Sequence, residues 1–163
     1  MTMRTSIAFL LALLLPASAQ AVVVKSVPGP SGVETWLSEE HALPMIAVNI
    51  SLPAGTAYDP ADKPGLAMMT ASLSGEGAGD LAATAFKEAL EARAIRLSAS
   101  PERDYTVITL TTLKSNAGEA FRLLALALAH PRFDGEAIER IRAALLSDLK
   151  QEDQDPSRTA NKA

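Results

Sequence analysis

Alternating apolar and polar residues near the start of the chain predict three β-strands. Residues 22–27 are rich in valine and precede the turn-forming sequence PGPSG. In residues 33–41 and 45–53, apolar and polar side chains alternate. This two-residue period is typical of a strand with one buried face. Two further strands, residues 95–100 and 104–113, are predicted later in the chain.

Apolar residues that recur at helical spacing, together with capping residues, predict four helices. The helices are expected over residues 65–74, 81–94, 117–130 and 135–154. Asp80 and Asp134 are predicted to cap the second and fourth helices, because their carboxylates accept hydrogen bonds from first-turn N–H groups. Ser115 or Asn116 is predicted to cap the third.

The predicted order of elements is β-β-β-α-α-β-β-α-α. Strands that occur in runs and are joined to pairs of helices are typical of an α+β fold. We therefore expect a mostly antiparallel sheet with paired helices on one face.

The first 21 residues predict a secretory signal peptide. Arg4 supplies a positive charge, and Ile7–Leu15 is an apolar run that is too short to span a bilayer. Ala19–Ala21 forms an A-x-A cleavage signal. We therefore expect an exported protein, periplasmic or secreted, in which residues 22–163 form one domain. An N-terminal membrane anchor is the alternative.

The composition argues against several classes of protein. The chain has 163 residues, a formal net charge of −4 and no cysteine. Disulfide bonds and a lipid anchor on cysteine are therefore excluded, and mild acidity without a basic patch argues against nucleic-acid binding. His41 and His130 are too far apart in sequence to form a ligand pair by spacing. The GEGAG sequence lacks the lysine of a phosphate-binding loop, so we interpret it as a linker.

Several segments, in this order and spacing, resemble the N-terminal domain of the pitrilysin/insulinase family of zinc metallopeptidases. They are LPAGTAYDPADKPGLA, FKEALEARAIRLSASPERDYTVITLTTL and FDGEAIERIRAALLSDLKQEDQDP. The resemblance covers roughly residues 22–156. It implies a half-domain of the LuxS/pitrilysin-like metallopeptidase kind.

Active members of that family carry H-x-x-E-H on the first helix, where positions i, i+3 and i+4 share one face and can bind Zn²⁺. The resemblance places the first histidine on Met68, the glutamate on Ala71 and the second histidine on Ser72. The distant glutamate ligand falls on Asp148. Only Asp148 could ligate zinc, although its side chain is one methylene shorter than the family's glutamate, and one carboxylate does not hold zinc. We therefore expect no catalytic residue and no metal in this chain. An unrelated core helix is the alternative interpretation.

The resemblance also implies a peptide-binding edge, formed by Leu97, Ser98, Ala99 and Ser100. An exposed edge strand binds an extended peptide by accepting it as an additional strand. The family often has an asparagine near Ser98, and its absence here weakens a side-chain contact while leaving the backbone contact possible.

Three functional hypotheses follow. The first is a non-catalytic half of an exported peptidase, whose partner is a homologous zinc-bearing half and whose ligand is an extended peptide. The second is the N-terminal fragment of a longer zinc endopeptidase with its active residues beyond residue 163. Asp155 and Pro156 predict a helix start that is followed by only seven residues, which favours truncation over a frayed terminus. The third is a secreted binding domain without a proteolytic role.

Overall fold

The computed structural model describes residues 23–29 and 32–154, which divide after Leu43 into two units. The predicted signal peptide and the predicted helix start at residues 155–156 both lie outside the described residues, so these remain predictions.

The first unit contains one antiparallel hairpin. Its strands are β1 (Val24–Pro28) and β2 (Glu34–Ser38), paired so that Val24 lies opposite Ser38. The backbone N–H of Gly29 donates to the carbonyl oxygen of Val33 at 2.9 Å and closes the turn. The first two predicted strands are therefore present, although the second ends before the predicted boundary at residue 41.

The second unit is built on a three-stranded antiparallel sheet. Its strands are β3 (Met45–Leu52), β6 (Arg96–Pro101) and β7 (Thr106–Leu113), in the order β3-β7-β6. The register places Val48 opposite Leu110 and Leu110 opposite Leu97, so these apolar residues share one face. Strands β3 and β6 are the two edges of this sheet within the described part of the chain.

Within the described residues, four helices accompany the sheet, as predicted. They are α1 (Leu66–Leu73), α2 (Ala83–Glu91), α3 (Ala117–Ala129) and α4 (Gly135–Gln154). A small hairpin of β4 (Gly77–Ala78) and β5 (Leu81–Ala82) separates α1 from α2, and 3-10 turns occur at Thr56–Tyr58 and Lys114–Asn116. The predicted α+β class with a mostly antiparallel sheet is confirmed.

The core lies between one face of the sheet and the helices. Phe86 of α2, Leu123 of α3 and Leu110 of β7 are fully buried there. Alternate residues of the edge strands, such as Asn49 and Ser98, are exposed on the opposite face. This inside–outside alternation matches the prediction of helices on one face.

The predicted helix caps differ from the structure. Asp80 does not cap α2, because residues 77–82 form the β4–β5 hairpin and the helix begins only after Ala82. Asn116 occupies the N-cap position of α3, but its side-chain amide donates to the carbonyl oxygen of Arg93 at 2.7 Å. The Asp134 carbonyl accepts the first hydrogen bond of α4, whereas its carboxylate pairs with Arg132 at 2.8 Å.

Candidate functional site

The N-terminus of α1 is fixed by a carboxylate from outside the helix. Asp59 accepts hydrogen bonds from the backbone N–H groups of Gly65 and Ala67, both at 2.8 Å. Gly65 has a φ of 87°, a conformation that favours glycine. Gly65 occupies the N-cap position and has no side chain that could accept these hydrogen bonds. The Asp59 carboxylate therefore takes the place of an N-cap side chain.

The loop before α1 is fastened to the turn between β6 and β7. The N–H groups of Thr56 and Ala57 donate to the carbonyl oxygens of Glu102 and Arg103 at 2.9 and 2.8 Å. A Cβ on Gly55 would lie 2.5 Å from those same two oxygens. Only glycine allows this close approach, so the loop has a defined position beside α1.

The four positions that the resemblance assigns to the zinc site differ in exposure. On α1, Met68 is 42 % exposed, Ser72 is half-buried and Ala71 is only 6 % exposed. Asp148 lies exposed on α4, the helix that packs against α1. The structure therefore brings together the two helices that the resemblance pairs.

The residues at these positions do not fit a zinc ion. A thioether, a methyl group and a hydroxyl replace the two imidazoles and the carboxylate that zinc chemistry requires. Within residues 23–29 and 32–154, no three His, Cys, Asp or Glu side chains are grouped so that they could hold a metal ion. The expectation that zinc is bound only by a partner or an active relative stays a prediction.

An apolar cavity of about 330 Å³ lies beside α1. It is bounded by α1, the end of β3, the start of β7, the middle of β6 and the loop before α1. The end of α3 and the segment that joins α3 to α4 complete the boundary. The lining residues on α1 are Leu66, Ala67, Thr70 and Ala71, followed by Ser74. Ala71 therefore faces an apolar space at the position where the resemblance expects a catalytic carboxylate.

The predicted peptide-binding edge is the outer strand β6. Leu97 and Ala99 are half-buried on the helix-covered side of the sheet, and Ser98 and Ser100 are exposed on the other side. β6 pairs with β7 along one edge only, within the part of the chain that the structure describes. α1 packs against β6, so edge and helix are adjacent. Whether a peptide binds there stays a prediction.

Glu76, just after α1, is a buried carboxylate that sequence reasoning missed. It is 7 % exposed and accepts hydrogen bonds from Lys87 Nζ at 2.9 Å and Arg140 Nη2 at 2.5 Å. Burial acts to raise the pKa of Glu76, but the bonds from Arg140 and Lys87 outweigh it and the pKa is lowered. These contacts connect the end of α1 to α2 and α4. The sequence analysis missed Glu76 because this residue lies in a glycine-rich stretch that has neither helical nor strand periodicity.

The two histidines lie in different units of the chain. His130 is the C-cap of α3. Its backbone N–H donates to the carbonyl oxygen of Leu126 at 2.9 Å, and its backbone carbonyl accepts from the N–H of Gly79 at 2.8 Å. His41 is exposed in the first unit, and its backbone N–H donates to the carboxylate of Glu40 at 2.8 Å.

None of the helices in the described ranges has the length and apolar character needed to cross a membrane.

The model of the insulinase family of peptidases, peptidase family M16, matches residues 36–163. The chain therefore belongs to that family. A curated relative, the non-peptidase homolog YmxG of Helicobacter pylori, is 32 % identical over 117 residues, which are 72 % of this chain and 27 % of that protein.

Three solved structures share the fold. A peptidase M16 inactive domain from Pseudomonas fluorescens has a TM-score of 0.79 at 23 % identity, over 85 % of this chain and 34 % of that one. A protease from Helicobacter pylori has a TM-score of 0.74 at 18 % identity, over 85 % and 34 % of the two chains. The periplasmic protease PqqL from Escherichia coli has a TM-score of 0.71 at 18 % identity, over 88 % and 16 %.

These comparisons confirm the predicted family and fold. The chain spans only about a quarter to a third of the length of YmxG and of the Pseudomonas domain. The comparisons therefore show the family and the fold of this chain, and they do not assign it the activity, substrate or partner of a whole relative.

Proposed function

We propose that this chain is a non-catalytic insulinase-family domain that forms the chamber wall or substrate-binding half of an exported zinc-peptidase complex. The observation that carries the proposal is the side-chain set on α1, where the resemblance assigns Met68, Ala71 and Ser72 to the motif positions. The names "non-peptidase homolog" and "inactive domain" of two relatives support it.

The physical argument concerns the missing proton acceptor as well as the missing ligands. Hydrolysis by this family's chemistry needs a metal-bound water and a carboxylate that takes its proton. Ala71 offers no acceptor, and its surroundings are apolar. Asp148 alone supplies at most one ligand, whereas a catalytic zinc uses three protein ligands.

A binding role is consistent with what the domain retains. The edge of β6 next to α1 is suited to an extended peptide, which would pair with Leu97–Ser100. The zinc and the proton acceptor then come from a homologous half, as the family resemblance implies. The predicted signal peptide supports export, and one structural neighbour is described as periplasmic.

The second candidate is the N-terminal part of a longer zinc endopeptidase whose active residues lie beyond residue 163. The observation that favours it is the coverage, because the chain spans 27 % of YmxG and 34 % of the Pseudomonas domain. A secreted binding domain without a proteolytic role is the remaining alternative.

The test is co-expression with any homologous chain that carries H-x-x-E-H and is encoded next to this one. We expect a complex in size-exclusion chromatography and peptide cleavage that neither chain shows alone. The control is the same partner with its histidine ligands changed to alanine, which should bind and remain inactive. A stable monomer that neither binds this partner nor alters its activity would contradict the proposal.

A further inference from the structure

The solvent-facing side of α4 carries four exposed side chains at helical spacing. Glu139, Ala143, Leu146 and Lys150 recur at positions i, i+4, i+7 and i+11, and all four are exposed. With 3.6 residues per turn, these positions share one face of the helix over a length of about 17 Å. Leu146, near the centre, is 52 % exposed. These four residues are called the α4 stripe below.

The α4 stripe lies on the side of the helix that faces away from the rest of the second unit. Ala137 is buried, and Ile141 and Leu145 are half-buried, so they mark the packed side of α4. Asp148 follows Ala143 by five residues, which is about 140° around the helix and therefore away from the stripe. A contact through the stripe thus involves neither α1 nor the edge of β6.

The α4 stripe is complementary to itself when two copies run antiparallel. A two-fold axis through its middle places Glu139 of one copy opposite Lys150 of the other, and Ala143 opposite Leu146. Acid then faces base at both ends, and a small side chain faces a large one twice in the centre, as ridges pack into grooves. Glu139 pairs with Arg142 of its own helix through one carboxylate oxygen, so the other oxygen can accept from Lys150.

The charges select the antiparallel orientation and identify the occupant. In a parallel pair Glu139 would face Glu139 and Lys150 would face Lys150, and like charges across an interface are unfavourable. We propose that the α4 stripe is a self-association surface through which two copies of this chain form an antiparallel helix pair. This inference is independent of the proposed peptidase complex, because it uses a different face of the domain.

The expected association is weak and reversible. The apolar contact comes from Ala143 and Leu146, and Leu149, which is 55 % exposed, lies beside the stripe. A stable interface of standard size buries about 800 Å² on each partner, and one helix face of three turns provides roughly half of that. We therefore expect a dissociation constant on the order of 10–100 μM.

Sedimentation equilibrium of the purified full chain and of charge variants tests the pairing. Glu139→Lys and Lys150→Glu, made singly, each place like charges opposite one another at both ends and should raise the dissociation constant at least about tenfold. The double variant restores opposite charges in exchanged order and should return to within about threefold of the wild type. The two positions lie about 17 Å apart in one helix, so this rescue reports a contact between copies.

Matched controls separate the stripe from the general surface. Leu146→Ser should also raise the dissociation constant at least about tenfold, whereas Phe121→Ser, at a residue of α3 that is 45 % exposed, should leave it unchanged. Glu88→Lys repeats the charge reversal on the exposed surface of α2 and should have no effect on association. Circular dichroism of each variant checks that it is folded.

A chain that stays monomeric up to about 1 mM would overturn the inference, because the stripe would then contact another protein or a further segment. Association that is unchanged in both single charge variants, or that the double variant does not restore, would also overturn it. None of these results decides the co-expression experiment, which tests a different face of the domain.

Discussion

Replacing Glu76 by glutamine should destabilise the domain by about 2 kcal/mol. The substitution keeps the shape of the side chain, removes its charge and replaces one of its two acceptor oxygens by an NH2 group. One of the bonds from Lys87 and Arg140 is therefore lost, and the other loses its charge assistance. Hydrogen bonds to charged groups contribute about 1.5–3 kcal/mol each. The side chains of Lys87 and Arg140 are 48 % and 52 % exposed, so water can solvate them when Glu76 is neutral. We therefore expect a loss of about 2 kcal/mol, which is within the range for one such bond and below the sum for two.

The assay is urea denaturation at pH 7, followed by circular dichroism. Glu139→Gln is the matched control, since Glu139 pairs with Arg142 on the exposed surface of α4 and should contribute less than about 1 kcal/mol. A Glu76→Gln variant within about 0.5 kcal/mol of the wild-type free energy of unfolding would refute the argument. It would mean that Glu76 does not hold α4 and α2 against the end of α1.

The same variant has a predicted pH dependence. The pKa of Glu76 is lowered in the folded state from its usual value of 4.5, so its carboxylate stabilises the fold above that pH. The stabilisation is lost as the pH falls through the lower folded-state pKa. The difference in stability between wild type and Glu76→Gln should therefore be constant from about pH 6 to 8 and decrease below about pH 4.5.

Three further predictions concern export, the lost metal site and the loop before α1. Mass spectrometry of the exported protein should show cleavage after Ala21, and retention of the first residues in a membrane fraction would contradict this. A triple variant should gain zinc affinity that is measurable by calorimetry. A folded variant that does not bind zinc would show that the correspondence with the family's zinc ligands is wrong. Its changes are Met68→His, Ser72→His and Asp148→Glu. Gly55→Ala should lower the free energy of unfolding by about 1–3 kcal/mol, because its Cβ would overlap backbone oxygens. Gly118→Ala, with open space around the new Cβ, should not destabilise, and equal losses for both would contradict the packing argument.

Periodicity located the long elements because tertiary packing follows it. The alternation in residues 45–53 and 104–113 corresponds to β3 and β7, which are directly paired in the sheet. The stripe of the second predicted helix contains Phe86 and Leu90, and both are buried in the core. Where one face of a helix or strand is buried, the spacing of the apolar residues indicates which face it is.

Features that depend on distant partners could not be predicted. Asp80 is a good capping residue, yet the pairing of Gly77 with Ala82 in the small hairpin displaced the start of α2. Asp59 caps α1 from outside the helix, which no local capping pattern reveals. Ala71 is buried, with 6 % of its surface exposed, and it lines the apolar cavity beside α1. A glutamate there would enter an apolar cavity, so Ala71→Glu should destabilise the fold by a few kcal/mol unless zinc is bound beside it.

The central claim is that this domain contributes no metal to a zinc-dependent complex, and the zinc content of the purified complex tests it most directly. Elemental analysis of this chain bound to an H-x-x-E-H partner should give about one zinc per pair. The zinc should be lost when the partner's histidines are changed and retained when Asp148 of this chain is changed to alanine. Zinc bound by this chain alone, or zinc lost with Asp148→Ala, would contradict the account.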